Sequence, residues 1–400
     1  KILLILSNVT IPTVRQLMIV AGEPSGDAHA AALVNAVRAT NSDLTFFGAT
    51  GPLMRAAGVE TTVNSDDLAI MGIVEVGRVF PRFIKAFRKL RDAAIQKSPD
   101  AVILVDWPEF NLRLAAALHR RGLKVIYYIS PQLWAWRSYR KRNIKRDVDL
   151  VLSILPFEQE WYSARGIDQV DFVGHPLAGE VKPDFGRDEF CRLMKMDPRK
   201  PIVSLLPGSR LKELQRILPV MLDAAVVISK RNAEAQFVLV VAPSRSISET
   251  EQILANHADF EELKSRIRVV HHHTREALAA SDVAAIASGT ATLEAALLET
   301  PMVIVYRESP INWHVLGRLI NTDHFGLVNL IAGERIVPEL MQAEFTGVRL
   351  AEQLVELLHD RENHAMRKRL GEVAQHLGEG SASERAAKRI VEQLDNWSDN

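Results

Sequence analysis

The chain has 400 residues, 47% of them apolar and 24% charged. That length fits two domains of ordinary size, and the composition excludes a disordered or fibrous chain. Basic and acidic residues number 49 each, so there is no global pull toward nucleic acid, and the single cysteine, Cys191, excludes an internal disulfide or a cysteine-based zinc site.

The first residues, KILLILSNVTIP, are apolar but too short to span a bilayer, and the lone Lys1 and the missing small-residue cleavage site do not make a signal peptide. The sequence does not open on Met, and Met18 sits just inside the first strand, so residues 1–17 are read as an extension ahead of the fold. LMIVAG (17–22) predicts a strand, and 27–38 a helix. LTFFGA, AVILVD (101–106), KVIYYIS (124–130), DLVLSIL and QVDFVG continue as strands, with helices near 80–97 and 111–121. Six or seven strands alternating with helices predict a parallel sheet covered on both faces, over residues 18–178. The segment 179–201 is polar and rich in proline and charge, which suits a linker plus a short helix. A second alternating series, through PIVSLLPGSR, QFVLVVAP, RIRVVHHH, DVAAIASGT and PMVIVYR, makes 179–348 a second doubly wound domain. The charged helical stretch 349–400 is expected to return to the first domain. Two open parallel sheets bind a ligand between the carboxyl ends of their strands.

Five loops after strands carry candidate chemistry. In AGEPSGD (21–27), Gly22 and Gly26 allow a tight turn beside Glu23 and Ser25, and Asp27 can cap the next helix. The helix start suits an anion or a sugar, or it is a plain strand-to-helix turn. In VDWPEFN (105–111), Asp106 and Glu109 project at the cleft mouth, where a carboxylate can deprotonate a hydroxyl or simply cap the helix. In 127–146, Trp134 and Trp136 precede six basic residues, Arg137 to Arg146, a set that fits a sugar, a phosphate, a single-stranded nucleic acid or a solvated helix face. In LLPGSRLKEL (205–214), Ser209 can cap a helix whose first turn holds Arg210. A cation there opposes the helix dipole unless a phosphate lies between. In ASGTATLEAAL (287–297), Ser288, Gly289 and Thr290 open a helix whose next turn carries Glu294, a pair suited to a diphosphate and a ribose diol, or to a loose capping box.

Two further stretches are weaker. His271–His273 alternate across a strand end without an acid cluster, so no metal and no cofactor is expected. RVFPRFIKAFRKLR (78–91) sets Phe80, Phe83, Ile84 and Phe87 at helical spacing among six basic residues. This predicts either a helix lying on an anionic membrane or one packed on the sheet.

The ordered set AGEPSGD, MGIVEV, SPQLWAWR, LPFE, FVGHPL, LLPGSR and ASGTATLE closely resembles the lipid-A-disaccharide synthase family, from about Met18 to Ala332. The resemblance implies a GT-B glycosyltransferase of lipopolysaccharide (lipid A) biosynthesis. Its substrates would be UDP-2,3-diacylglucosamine and 2,3-diacylglucosamine 1-phosphate, joined with inversion. It implies Asp106 as the base, Arg210 at the diphosphate, Ser288, Gly289, Thr290 and Glu294 at UDP, and Asn329 in LVNLIAG as a site residue. Family members often read DAPDFN where this chain reads DWPEFN. A homodimer with exchanged C-terminal segments and a peripheral place on the cytoplasmic face of the inner membrane are also implied. The rival readings are a UDP-sugar epimerase of similar shape and a non-catalytic nucleotide- or RNA-binding protein. The motifs at 205–210 and 287–294 favour the transferase, with no nucleic-acid partner.

Overall fold

The computed structural model describes residues 15–68, 76–309, 322 and 324–399. Residues 1–14 of the expected extension and Met71–Glu75 of MGIVEV lie outside the described residues, as does the side chain of Phe80.

Seven short apolar runs form the first sheet: β1 (Gln16–Val20), β2 (Thr45–Thr50), β3 (Glu60–Asn64), β4 (Ala101–Val105), β5 (Val125–Tyr128), β6 (Leu150–Ser153) and β7 (Val170–Phe172). They pair in parallel in the order β3-β2-β1-β4-β5-β6-β7. Central strands such as β4 are buried at every position, as expected when helices cover both faces. The connecting helices are α1 (Pro24–Thr40), α2 (Pro52–Ala56), α3 (Val76–Lys97), α4 (Pro108–His119), α5 (Lys141–Asp147) and α6 (Pro156–Ser163).

The second sheet holds β8 (Ile202–Leu206), β9 (Gln236–Val241), β10 (Ile267–His271), β11 (Val283–Ala287), β12 (Met302–Tyr306) and β13 (Glu339–Met341), again parallel, in the order β10-β9-β8-β11-β12-β13. Its helices are α7 (Arg187–Met194), α8 (Leu211–Arg231), α9 (Ile247–Ala255), α10 (Phe260–Leu263), α11 (Thr274–Ala280) and α12 (Ala291–Leu297). After them come α13 (Leu327–Ala332), α14 (Gly347–Leu357), α15 (Asp360–His376) and α16 (Ala382–Ser398).

Strand order reverses between β1 and β4 in one sheet and between β8 and β11 in the other. The loops after these four strands therefore open at the two switch points, where the flanking crossovers leave a crevice. They are the loops that carry Glu23, Asp106, Arg210 and Ser288.

Several boundaries differ from expectation. β1 begins at Gln16, and Leu17 pairs with both Phe46 and Ala101, so these two residues belong to the sheet and not to the expected extension. α1 begins at Pro24 rather than Asp27, because proline suits the first helical turn. Asp27 does not cap its own helix. It is buried inside α1 and accepts from the backbone N–H groups of Gly51, Leu53 and Met54 at 2.9, 2.8 and 3.2 Å, capping α2 instead. The C-terminal stretch is not one unit. α14 packs on α8, and α15 packs on α12 and α13, so both belong to the second domain. Only α16 crosses back, burying Ala386, Ala387, Ile390 and Leu394 in the same layer as Leu33, Val34 and Val37 of α1. In this chain it covers its own first domain.

The two crossings touch. His175 N–H donates to Leu377 O at 2.8 Å, and Arg385 Nε donates to Val173 O at 2.7 Å. A Cβ at Gly174 would lie 1.8 Å from the Arg385 guanidinium, so the close approach needs glycine.

Candidate active site

On the first domain, β4 ends in two consecutive non-glycine residues in the left-handed region, Asp106 (φ 47°) and Trp107 (φ 52°). Such strain persists only where the surroundings enforce it. Here Asp106 N–H donates to Tyr128 O at 3.0 Å. Its own carbonyl accepts from the Tyr127 hydroxyl and the Asn111 amide, both at 2.8 Å. Pro108 then starts α4, so Asp106 is not the helix cap that sequence reasoning also allowed. Burial raises the Asp106 carboxyl above its ordinary pKa. The Glu23 carboxylate from the loop after β1 raises it further, and the Trp107 N–H opposes both. The side chain thus becomes a stronger proton acceptor once ionised. Gly22 and Gly26 are buried beneath this wall, and Glu23 and Ser25 are exposed on it.

The aromatic pair divides. Trp134 is buried and donates from Nε1 to Glu158 at 3.1 Å. Burial pushes the Glu158 carboxyl up to about 7. Trp134 is therefore a core residue and is not free to stack on a ligand. Trp136 is exposed, with the Arg137 guanidinium 4.2 Å over its ring. Glu109 accepts from both Arg137 and Arg140.

On the second domain, Gly208 (φ 108°) turns the chain into α8. Arg210 occupies the cap position expected for Ser209. Glu213 folds back and accepts from the N–H groups of Ser209 and Arg210, each at 3.2 Å, and from the Arg210 guanidinium at 3.0 Å. A carboxylate thus lies where an anion would rest on the helix start. The Arg210 side chain is 82% exposed, so this pair is weak and the guanidinium is free to turn to a ligand.

Ser288 donates to Phe325 O at 3.2 Å, and Gly289 and Thr290 are exposed at the start of α12. No capping box forms there, since Thr290 makes no side-chain cap bond. Burial raises the Glu294 carboxyl, and Arg275 opposes the rise. Arg275 lies 4.0 Å from Glu294 and donates to Glu180 O at 2.7 Å, tying α12 to the linker from the first domain. Sequence reasoning missed Arg275. The signal was present, because it is a cation in the first turn of α11, the same anomaly that marks Arg210.

Asn329 stands behind the site. It is fully buried, its amide donates to Val337 O and Glu339, and its oxygen accepts from Ile336 and Val337 N–H. Glu339 in turn accepts from Phe325 and Gly326 N–H. Asn329 is therefore linked to Ser288 only through Glu339 and Phe325, and it is sealed from solvent.

α3 also departs from expectation. Phe83 lies 5.8 Å from Trp107, and Phe87 lies 5.9 Å from Phe110, so both pack inward on the chain's own aromatic cluster. Ile84 is exposed beside Arg82, Lys85, Arg88 and Lys89. Among the described residues no helix is long and apolar enough to cross a membrane, and no three metal-ligating side chains converge. The His271 and His272 rings contact each other at 3.8 Å.

The family model for lipid-A-disaccharide synthetase matches residues 17–393. A lipid-A-disaccharide synthase of Geobacter sulfurreducens is 41% identical over 384 residues, covering 96% of this chain and 98% of its own length. Among solved structures, a UDP-N-acetylglucosamine 2-epimerase (so named provisionally) of Listeria monocytogenes aligns with a TM-score of 0.61 at 15% identity, over 97% of each chain. The glycotransferase of kitacinnamycin aligns with a TM-score of 0.64 at 15% identity, over 96% of this chain and all of that one. At such identities these two carry the fold alone, the two-domain GT-B architecture. The family match is of a different order, spanning nearly the whole chain and every motif described above, and by it the chain belongs to the lipid-A-disaccharide synthase family of glycosyltransferases.

Proposed function

We propose that the protein transfers the sugar of UDP-2,3-diacylglucosamine to the 6-hydroxyl of 2,3-diacylglucosamine 1-phosphate. The bond from the anomeric carbon to the UDP oxygen breaks, and a bond to the acceptor oxygen forms on the opposite face. UDP leaves with the electron pair, and the hydroxyl proton passes to Asp106. The observation that carries this reading is the enforced, partly buried Asp106 carboxylate at the first switch point, with its raised pKa. Across the crevice, Arg210 and the start of α12 would stabilise charge on the departing diphosphate, and Glu294 would take the ribose diol. Glu23, Ser25 and the glycines beside them would border the acceptor.

The exposed basic side of α3, with Ile84, supports a peripheral seat on an anionic membrane surface, at its cytoplasmic face. A homodimer remains part of this reading through the family.

The test mixes purified protein with both lipid sugars and follows UDP and disaccharide together. Release of both in equal amounts supports the transfer. A UDP-sugar altered without any acceptor would replace it with the epimerase reading.

A further inference from the structure

We propose that Arg137 and Arg140 form the subsite for the phosphate of the acceptor sugar, and that Glu109 holds this fork as an internal stand-in anion. The inference rests on the acceptor reading above and deepens it by assigning residues to the acceptor's phosphate.

Glu109 lies three residues after Asp106, in the first turn of α4. Its two carboxylate oxygens are shared between Arg137 Nη1 and Arg140 Nη2. Two guanidinia facing one planar anion is the arrangement that arginine offers a phosphate. Exposure says which partner can leave. The Arg140 side chain is 15% exposed and that of Arg137 38%, whereas that of Glu109 is 53% exposed. Arg140 anchors the fork, and the carboxylate, the most exposed of the three, is the partner free to leave.

The loop that carries the fork is itself held in an unusual shape. Arg137 is left-handed (φ 55°), and its guanidinium covers the exposed Trp136 indole. A guanidinium stacked on an exposed indole suits a sugar phosphate. The fork also adjoins the proposed base. The Tyr127 hydroxyl donates to Asp106 O and feels the charges of Asp106, Arg140 and Glu109 together. In the acceptor, C1 with its phosphate and C5 with the 6-hydroxymethyl arm both flank the ring oxygen, so the two groups lie within one sugar's span, which matches a base and a phosphate fork in adjoining positions. The first acid after the basic run, Asp147, is already taken by Arg146, so the run keeps a surplus of positive charge that draws anions.

A phospholipid headgroup offers the same phosphate chemistry, so the test separates the two sources. Full-length protein is titrated with glucosamine 1-phosphate, glucosamine and UDP, and is bound to phosphatidylglycerol vesicles. The sugar phosphate should bind and glucosamine should not. R137A/R140A should weaken the sugar phosphate about tenfold or more, as for loss of charged hydrogen bonds, with UDP affinity unchanged. E109Q should tighten it, because the competing carboxylate is gone; a merely structural ion pair predicts no gain. Unchanged sugar-phosphate affinity in R137A/R140A overturns the subsite. So does an equal loss for UDP, a loss confined to vesicle binding, or weaker binding by E109Q. The reaction is judged separately. If R137A/R140A still makes disaccharide with an unchanged acceptor KM, the subsite falls and the reaction stands. If the wild-type protein makes none, the reaction falls.

Discussion

The Trp107 indole rests on the bare backbone of Gly22, where a Cβ would meet the ring at 2.1 Å. The same ring is stacked on Phe110, with ring centroids 4.1 Å apart and planes 9° from parallel. One aromatic ring thus locks the loop after β1 to the loop after β4, and Asp106 is the next residue along. Gly22→Ala should cost about 1–3 kcal/mol by overpacking and should lower kcat by displacing Asp106. Adding Trp107→Ala should restore part of the stability, since it removes the atoms that clash. Urea unfolding and turnover of the single and double variants check this coupling, and additive effects would refute it.

Asp106→Asn should fold, bind UDP with unchanged affinity and lose turnover by about 100-fold or more, the range for removing a general base. The raised pKa fixes a sign for stability. A carboxyl whose folded pKa lies above its unfolded value loses folding stability as pH rises from the unfolded value through the folded one. An uncharged amide in its place removes that loss, so D106N should melt above the wild type near neutral pH and not in acid. Melting curves at two pH values would show it.

Activity should climb with pH as Asp106 ionises, and that limb should lie above the ordinary value of an aspartate. Glu23 contributes to the rise. Glu23→Gln should therefore move the limb to lower pH. A pH profile of kcat/KM decides the point, and an unmoved limb would remove Glu23 as the cause.

Arg210→Ala should weaken UDP about tenfold or more while leaving the melting temperature nearly unchanged, because an exposed ion pair adds little to stability. Calorimetry with UDP and a thermal melt separate the two effects. An unchanged UDP affinity would contradict the role of Arg210.

Arg275→Met should weaken UDP but spare 2′-deoxy-UDP, if Arg275 serves to keep Glu294 charged for the diol. Arg275 opposes the burial that raises the Glu294 pKa. Without it that pKa rises further, so UDP affinity should be lost at a higher pH as the solution is acidified. Equal losses for both nucleotides would instead make Arg275 a general support of the linker.

Local chemistry made much of this protein readable from its residues. Apolar runs of five or six residues between helical stretches imply buried parallel strands, and both doubly wound sheets follow from them. The short edge strands β3 and β13 were missed, since ETTVN and ELM lack the apolar continuity of the central strands. The order of strands turns Glu23, Asp106, Arg210 and Ser288 from loop residues into neighbours of two switch points.

What the tertiary structure alone decided is where each polar atom finds its partner. Asp27 caps a helix 24 residues away, Asn329 is sealed in a buried network, and Trp134 answers to Glu158. Phe83 and Phe87 turn inward on Trp107 and Phe110, so the amphipathic α3 covers the loop after β4 with one side and shows its charges on the other. Periodicity tells which side of an element is apolar. It does not tell what that side meets, because the partner comes from a distant part of the chain and is chosen by packing.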